Sequence, residues 1–149
     1  MSHYQSSIKT ADILLVEDNP GDVLLFSEFL KETKIPYTLH VAEDGEEALM
    51  FLYQKEKFRD KPRPDLIVLD LNLPKVDGFE VLQQVKQNPQ LKRIPVIILT
   101  GSHAEMDILK SYELYANCYI TKPSELKEFT AVVKAIEHFW FQIAQLPKE

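Results

Sequence analysis

Residues 66–78 read LIVLDLNLPKVDG, and this stretch decides the fold. Leu66, Ile67, Val68 and Leu69 form an unbroken apolar run that ends in a lone carboxylate, Asp70, with Pro74 and Gly78 marking a turn behind it. Strands of parallel sheets covered on both faces read this way, without polar alternation. The carboxyl ends of such strands are where open α/β sheets place their chemistry, so Asp70 is expected at the floor of a cleft. Ionising a carboxylate beside so much apolar surface is costly unless a cation or hydrogen-bond donors meet it. The rest of the chain is therefore read for groups that reach Asp70.

Upstream, residues 13–16 are a short apolar run that ends in Glu17 and Asp18, and Asn19 followed by Pro20 reads as an N-cap with a first-turn proline. A strand thus runs directly into a helix, whose apolar positions Val23, Phe26 and Leu30 recur at helical spacing until Lys34. Pro36 forbids continuation, and residues 37–41 are a β-branched and aromatic second strand. Asp44 with Glu47 three residues on opens a second helix carrying Ala48, Leu49 and Leu52 inward. Residues 55–64, charged and proline-bearing, read as a surface loop.

Downstream, Asp77 with Glu80 repeats the cap signature before Phe79, Leu82 and Val85, and Asn88 with Pro89 ends that helix. Residues 96–99 form a fourth strand that ends at Thr100. Ser102 and Glu105 predict a capped fourth helix, and residues 118–120 a short fifth strand before Thr121, Lys122 and Pro123. Ser124 is expected to cap a last helix with Leu126, Phe129, Val133, Ile136, Phe139, Trp140 and Ile143 on its stripe.

Five strand–helix units in alternation imply an α/β fold: a single doubly wound five-stranded parallel sheet, flavodoxin-like in its order 2-1-3-4-5, with helices on both faces. Residues 1–10 are expected to be a flexible N-terminal segment, 11–145 the domain, and 146–149 a short tail with no output domain. The 149 residues, 45% apolar and 27% charged, suit one globular core. A formal charge of −6 argues against nucleic acid as a partner, because that affinity comes from Lys and Arg on phosphates. With one cysteine, no signal-peptide pattern and no apolar run long enough to span a bilayer, the reading is a cytoplasmic protein without a membrane partner.

In the 2-1-3-4-5 order Glu17 and Asp18 face Asp70 across the switch point. Strands one, three, four and five then end in two acids, one acid, a hydroxyl and an amine. Carboxylates so close repel one another, and a hard divalent cation such as Mg2+, with Mn2+ as a substitute, relieves that repulsion. The cation leaves Asp70 a nucleophile toward a phosphoryl group, with Lys122 and Thr100 beside it to neutralise or bond the transferred oxygens. Taken alone, Glu17 and Asp18 need no metal: complementing a helix dipole stabilises by about 0.3–1 kcal/mol. It is the joint placement that favours chemistry. His3, His40, His103 and His138 show no ligand spacing, and Cys118 reads as a small buried hydrophobe.

These residues resemble the receiver domain of two-component response regulators, over roughly residues 12–143. The resemblance implies that Asp70 accepts a phosphoryl group from a partner histidine kinase, while Glu17, Asp18 and the Asn72 main-chain carbonyl help to hold Mg2+. It implies that Lys122, before Pro123, contacts the phosphoryl oxygens, and that Thr100 and Tyr119 are a switch pair of hydroxyl and aromatic ring. Such a protein is no enzyme in the ordinary sense, acting only on its own phosphorylation and dephosphorylation. The stretches VEDNPGDVLLF, DLNLPKVDG and SYELYANCYITKP are similar to the small regulators paired with cyanobacterial phytochromes, which makes a phytochrome a candidate kinase.

The competing reading is a Mg-dependent phosphatase of haloacid-dehalogenase type, which also uses an aspartate nucleophile at a strand end. That family needs a second aspartate two residues later as general acid, where this chain has Asn72. A homodimer is expected through the face of helix four, strand five and helix five. Tyr112, Tyr115 and Tyr119 precede Phe139, Trp140 and Phe141 there, and three consecutive aromatics cannot all face one side of a helix.

Overall fold

A computed structural model describes residues 10–33 and 35–147. The expected flexible segment 1–10 lies outside the described residues except for Thr10, as do the last two residues of the expected tail. The elements alternate as the sequence predicts: β1 (Ala11–Val16), α1 (Pro20–Lys31), β2 (Tyr37–Ala42), α2 (Gly45–Leu52), a 3-10 turn at Glu56–Phe58, β3 (Leu66–Leu69), α3 (Gly78–Gln87), β4 (Val96–Thr100), α4 (Glu105–Glu113), β5 (Cys118–Thr121) and α5 (Leu126–Glu137). All strands are parallel, in the order β2-β1-β3-β4-β5.

Alternation along each strand divides the core into two layers. Leu14, Val16, Ile67, Leu69 and Ile98 meet Ala48, Leu52, Leu82 and Val85 of α2 and α3. Ile13, Leu15, Leu66, Val68, Ile97 and Leu99 meet Phe26 and Leu30 of α1 with Phe129, Val133 and Ile136 of α5. The period-2 geometry of a strand buried on both faces makes these runs apolar throughout.

Three helices start on the caps that the sequence predicts. Asn19 Oδ1 accepts from the N–H groups of Gly21 and Asp22 at 2.9 and 3.2 Å, Asp44 Oδ1 from Glu47 at 2.7 Å, and Asp77 Oδ1 from Glu80 at 3.0 Å. Two others depart from expectation. Ser102 does not cap α4, whose N-cap is Ala104, because its hydroxyl donates to Asp107 Oδ2 at 2.6 Å. Ser124 does not cap α5 either: that helix starts one residue later, on Glu125, without a side-chain cap. Helix α1 stops at Lys31 instead of reaching Lys34, which lies outside the described residues. Thr33 closes its end by donating to the Leu30 carbonyl at 3.1 Å.

The last helix also changes pitch. After Glu137 the chain continues as a π turn, His138–Ile143. Glu137 is buried, and its carboxylate accepts from Tyr37 Oη of β2 at 2.5 Å and from Gln142 Nε2 at 2.8 and 3.0 Å. An acid and an amide five residues apart suit the wider turn. At the opposite end of the sheet from Asp70, Pro147 lines a small cavity with Arg63, Pro64, Arg93 and Pro95, close to where β3 and β4 begin.

Candidate functional site

The sheet register brings the strand-end residues together. Val16 pairs with Leu69, and the Asp70 N–H donates to the Val16 carbonyl at 3.0 Å, so Glu17 and Asp70 leave adjacent strands side by side. Both are nearly withdrawn from water, at 3% and 6% exposure, while Asp18 is exposed. Backbone donors help to hold each buried acid: Asn19 N–H reaches Glu17 Oε2 at 3.1 Å, and Asn72 N–H reaches Asp70 Oδ1 at 3.3 Å. Gly78 lets the start of α3 rest on the Asp70 backbone, since a Cβ there would overlap the Asp70 carbonyl oxygen.

Lys122 enters from the end of β5, tied to β4 by its N–H bond to the Thr100 carbonyl at 2.7 Å. Its ammonium lies 2.6 Å from Glu17 Oε1, 2.8 Å from Asp22 Oδ2 and 3.2 Å from Asp70 Oδ2. Thr100 is wholly buried, and its Oγ1 has no hydrogen-bond partner among the described residues. A buried, unpaired hydroxyl carries a desolvation cost that an arriving acceptor can remove. Because Ile98 pairs with Tyr119, Thr100 and Tyr119 share a sheet face on neighbouring strands. The Tyr119 hydroxyl donates to the Ser102 carbonyl at 2.8 Å, and burial raises its pKa.

Three carboxylates contact one ammonium, and the excess of acid shows at Glu17 and Lys122. Burial, with the Asp70 charge adding to it, pushes Glu17 up to about 7 against the pull of Lys122 and the Asn19 N–H. Burial alone would lower Lys122, but hydrogen bonds to Asp22 and Glu17 and the charge of Asp70 outweigh it and hold the ammonium above its ordinary value. One oxygen from each of Glu17, Asp18 and Asp70 lies within 4.8 Å of the others. That all-oxygen donor set, with an excess of negative charge, fits a hard divalent cation. Asn72 borders Asp18 in the adjoining cleft, lined also by Leu71, Leu73 and Pro74.

Glu17, Asp18, Asp70, Asn72, Thr100, Tyr119 and Lys122 are thus gathered at one end of the sheet. The reading from sequence missed Asp22, and the available signal was its place in the first turn of α1, four residues after Asp18. The six aromatics of the expected contact face are not gathered. Tyr112 and Tyr115 are exposed at α4 and just beyond it, and Tyr119 packs on the α2–α3 face of the sheet. Trp140 packs on the α1–α5 face with an exposed Phe139 edge-on to it, ring centroids 5.1 Å apart. Phe141 departs from the set: its ring meets Tyr37 of β2, at the far edge of the sheet, with centroids 5.1 Å apart.

The family model of the response regulator receiver domain matches residues 13–134. The response regulator Rcp1 of Synechocystis is 52% identical over 135 residues, which cover 91% of this chain and 92% of that protein. Among solved structures, the phosphorylated cyanobacterial phytochrome response regulator RcpA superposes with a TM-score of 0.92 at 47% identity, covering 94% of this chain and all of that one. The Mn2+-bound form of Rcp1 gives 0.90 at 51% identity, over 93% and 99%. No helix among the described residues is long and apolar enough to cross a membrane.

Proposed function

This chain belongs to the response regulator receiver family, and from that premise we propose that Asp70 is its phosphoacceptor, loaded by a histidine kinase. The observation that carries the assignment is the Lys122 ammonium, 3.2 Å from the Asp70 carboxylate, with the unpaired Thr100 hydroxyl buried at the next strand end. In the transfer an Asp70 carboxylate oxygen attacks phosphorus. The new O–P bond forms as the bond from phosphorus to the donor imidazole breaks, and the departing nitrogen keeps the electron pair. Lys122 then bonds the transferred oxygens, and Thr100 finds in them the acceptor it lacks. Glu17, Asp18, Asp70 and the Asn72 carbonyl would hold Mg2+, which supplies charge neutralisation on the phosphoryl oxygens when bound. Catalysis by the protein extends to loading and unloading Asp70. Residues 11–145 constitute the receiver domain, acting in the cytoplasm.

The kinase we propose is a phytochrome, on the strength of the similarity to Rcp1 and RcpA. Phosphotransfer from a light-regulated phytochrome kinase is expected to label this protein and to fail with Asp70→Asn. Equal labelling of the two would overturn the assignment.

We also propose a homodimer on the α4–β5–α5 face, tightened by phosphorylation. Met106, Leu109, Tyr112 and Tyr115, spaced three residues apart, are exposed at 81%, 60%, 48% and 75%, and Phe139 is exposed beyond β5. Large apolar groups rarely line up in water without a partner. Phe141 is left out because it is packed on Tyr37. Allosteric couplings of about 1–3 kcal/mol correspond to a dimer roughly five- to 150-fold tighter after phosphorylation. In sedimentation velocity of wild type and Tyr112→Glu, each with and without a phosphoryl mimic, wild type is expected to shift toward dimer with the mimic, and Tyr112→Glu to remain monomeric. Four monomeric samples at high micromolar concentration would refute the dimer.

A further inference from the structure

We propose that Asp22 is a positioning residue for Lys122: it draws the ammonium toward α1, so that a divalent cation can take the oxygens of Glu17 and Asp70. The inference rests on the receiver reading only in treating Lys122 and Asp70 as one site. Its geometry is direct. Lys122 Nζ is nearer to Asp22 Oδ2, at 2.8 Å, than to Asp70 Oδ2, at 3.2 Å. Asp22 stands outside the trio whose oxygens converge within 4.8 Å. Among the described residues it is therefore the one ion-pair partner of Lys122 that a cation at that trio does not claim.

The cation and the ammonium compete. Lys122 bonds Glu17 Oε1 at 2.6 Å and Asp70 Oδ2 as well. A divalent ion on those oxygens repels the ammonium and removes two of its three acceptors. The Lys122 side chain is only 14% exposed, so water cannot fully replace them. Asp22 offers what remains. Its position is fixed, since its own N–H donates to the Asn19 cap at 3.2 Å and Pro20 sets the first turn of α1. A carboxylate held there lets the ammonium pivot without leaving the cleft, within reach of Asp70.

Without Asp22 the ammonium stays on Glu17 and Asp70, and the cation must evict it. Asp22→Asn is therefore expected to weaken Mg2+ binding, measured by calorimetry, by roughly tenfold, within the range found for coupled neighbours. Loss of a nearby negative charge would weaken binding too, so the decisive quantity is the coupling to Lys122. In a Lys122→Met background Asp22→Asn is expected to cost less than about threefold, and Asp22→Glu to retain wild-type affinity. A coupling below twofold overturns the proposal, for then Asp22 acts only as a charge at a distance. Nitrogen NMR of the Lys122 ammonium at saturating Mg2+ is the second measurement and needs no Lys122 variant. Proton exchange is expected to be several-fold faster in Asp22→Asn than in wild type, and unchanged exchange overturns the proposal as well. Neither measurement requires phosphorylation, so a failure here is distinct from a failure of Asp70 as acceptor.

Discussion

Asp70→Asn is expected to leave acetyl phosphate and Mg2+ at its unmodified mass, whereas wild type gains one phosphoryl group as an acid-stable, base-labile adduct. The amide oxygen that replaces the carboxylate is neutral and a poor nucleophile, so the loss should be complete rather than graded. The neighbouring acids are less well placed: Asp22 bonds Lys122 but stands outside the trio of converging oxygens. Asp18 is exposed and makes no bond to Lys122, and Glu17 is buried, with its two oxygens engaged by Asn19 and Lys122. The variant should fold at least as stably as wild type. It removes one charge from a crowd of acids, and the ammonium keeps Glu17 and Asp22 as partners. Undiminished labelling of Asp70→Asn by intact mass would place the acceptor elsewhere.

Gly78→Ala is expected to damage stability and phosphorylation together. The added Cβ would overlap the Asp70 carbonyl oxygen and lie 2.6 Å from the Leu71 Cα, which is backbone just past the end of β3 and not a flexible side-chain tip. Either α3 lifts or Asp70 shifts. Overpacking of this kind costs about 1–3 kcal/mol and sometimes more. A lifted helix would also break the Gly78 N–H bond to the Leu71 carbonyl, now 2.9 Å. Thermal unfolding should show a clearly lower midpoint, and acetyl phosphate should label the variant well below the wild-type rate. Gly101→Ala is the control, since nothing lies within 4 Å of a Cβ there and its φ is not positive. An Ala in that place should stabilise by roughly 0.4–1 kcal/mol. Equal midpoints for wild type and Gly78→Ala would show that the α3–β3 contact yields freely.

What the chain disclosed before any coordinates follows from which signals are local. Strands β1, β3 and β4 are continuous apolar runs, and the caps Asn19, Asp44 and Asp77 act within three residues of themselves, so periodicity and spacing found them. The site was legible because parallel strands place their carboxyl ends together, which turns four separate strand endings into one cleft. Side-chain choices between competing partners were not legible. Ser102 has a helix start within reach, yet its hydroxyl donates to Asp107, a preference that spacing cannot rank. Asp22 looks like any first-turn acid until the register places Lys122 beside it. The π turn escaped for a similar reason: the clasp of Glu137 on Tyr37 joins residues 100 apart, and beyond it Phe141 meets Tyr37 instead of joining the expected contact face.

The cavity beside Pro147 has a practical consequence for anyone who labels this protein. Because every strand runs the same way, the sheet has two unlike ends, and Pro147 sits near the starts of β3 and β4 while Asp70 and Lys122 sit at the finishes of β3 and β5. A dye or surface tether attached at Pro147 sits on the side remote from the cleft, so an immobilised molecule keeps Asp70 and Lys122 turned toward solution.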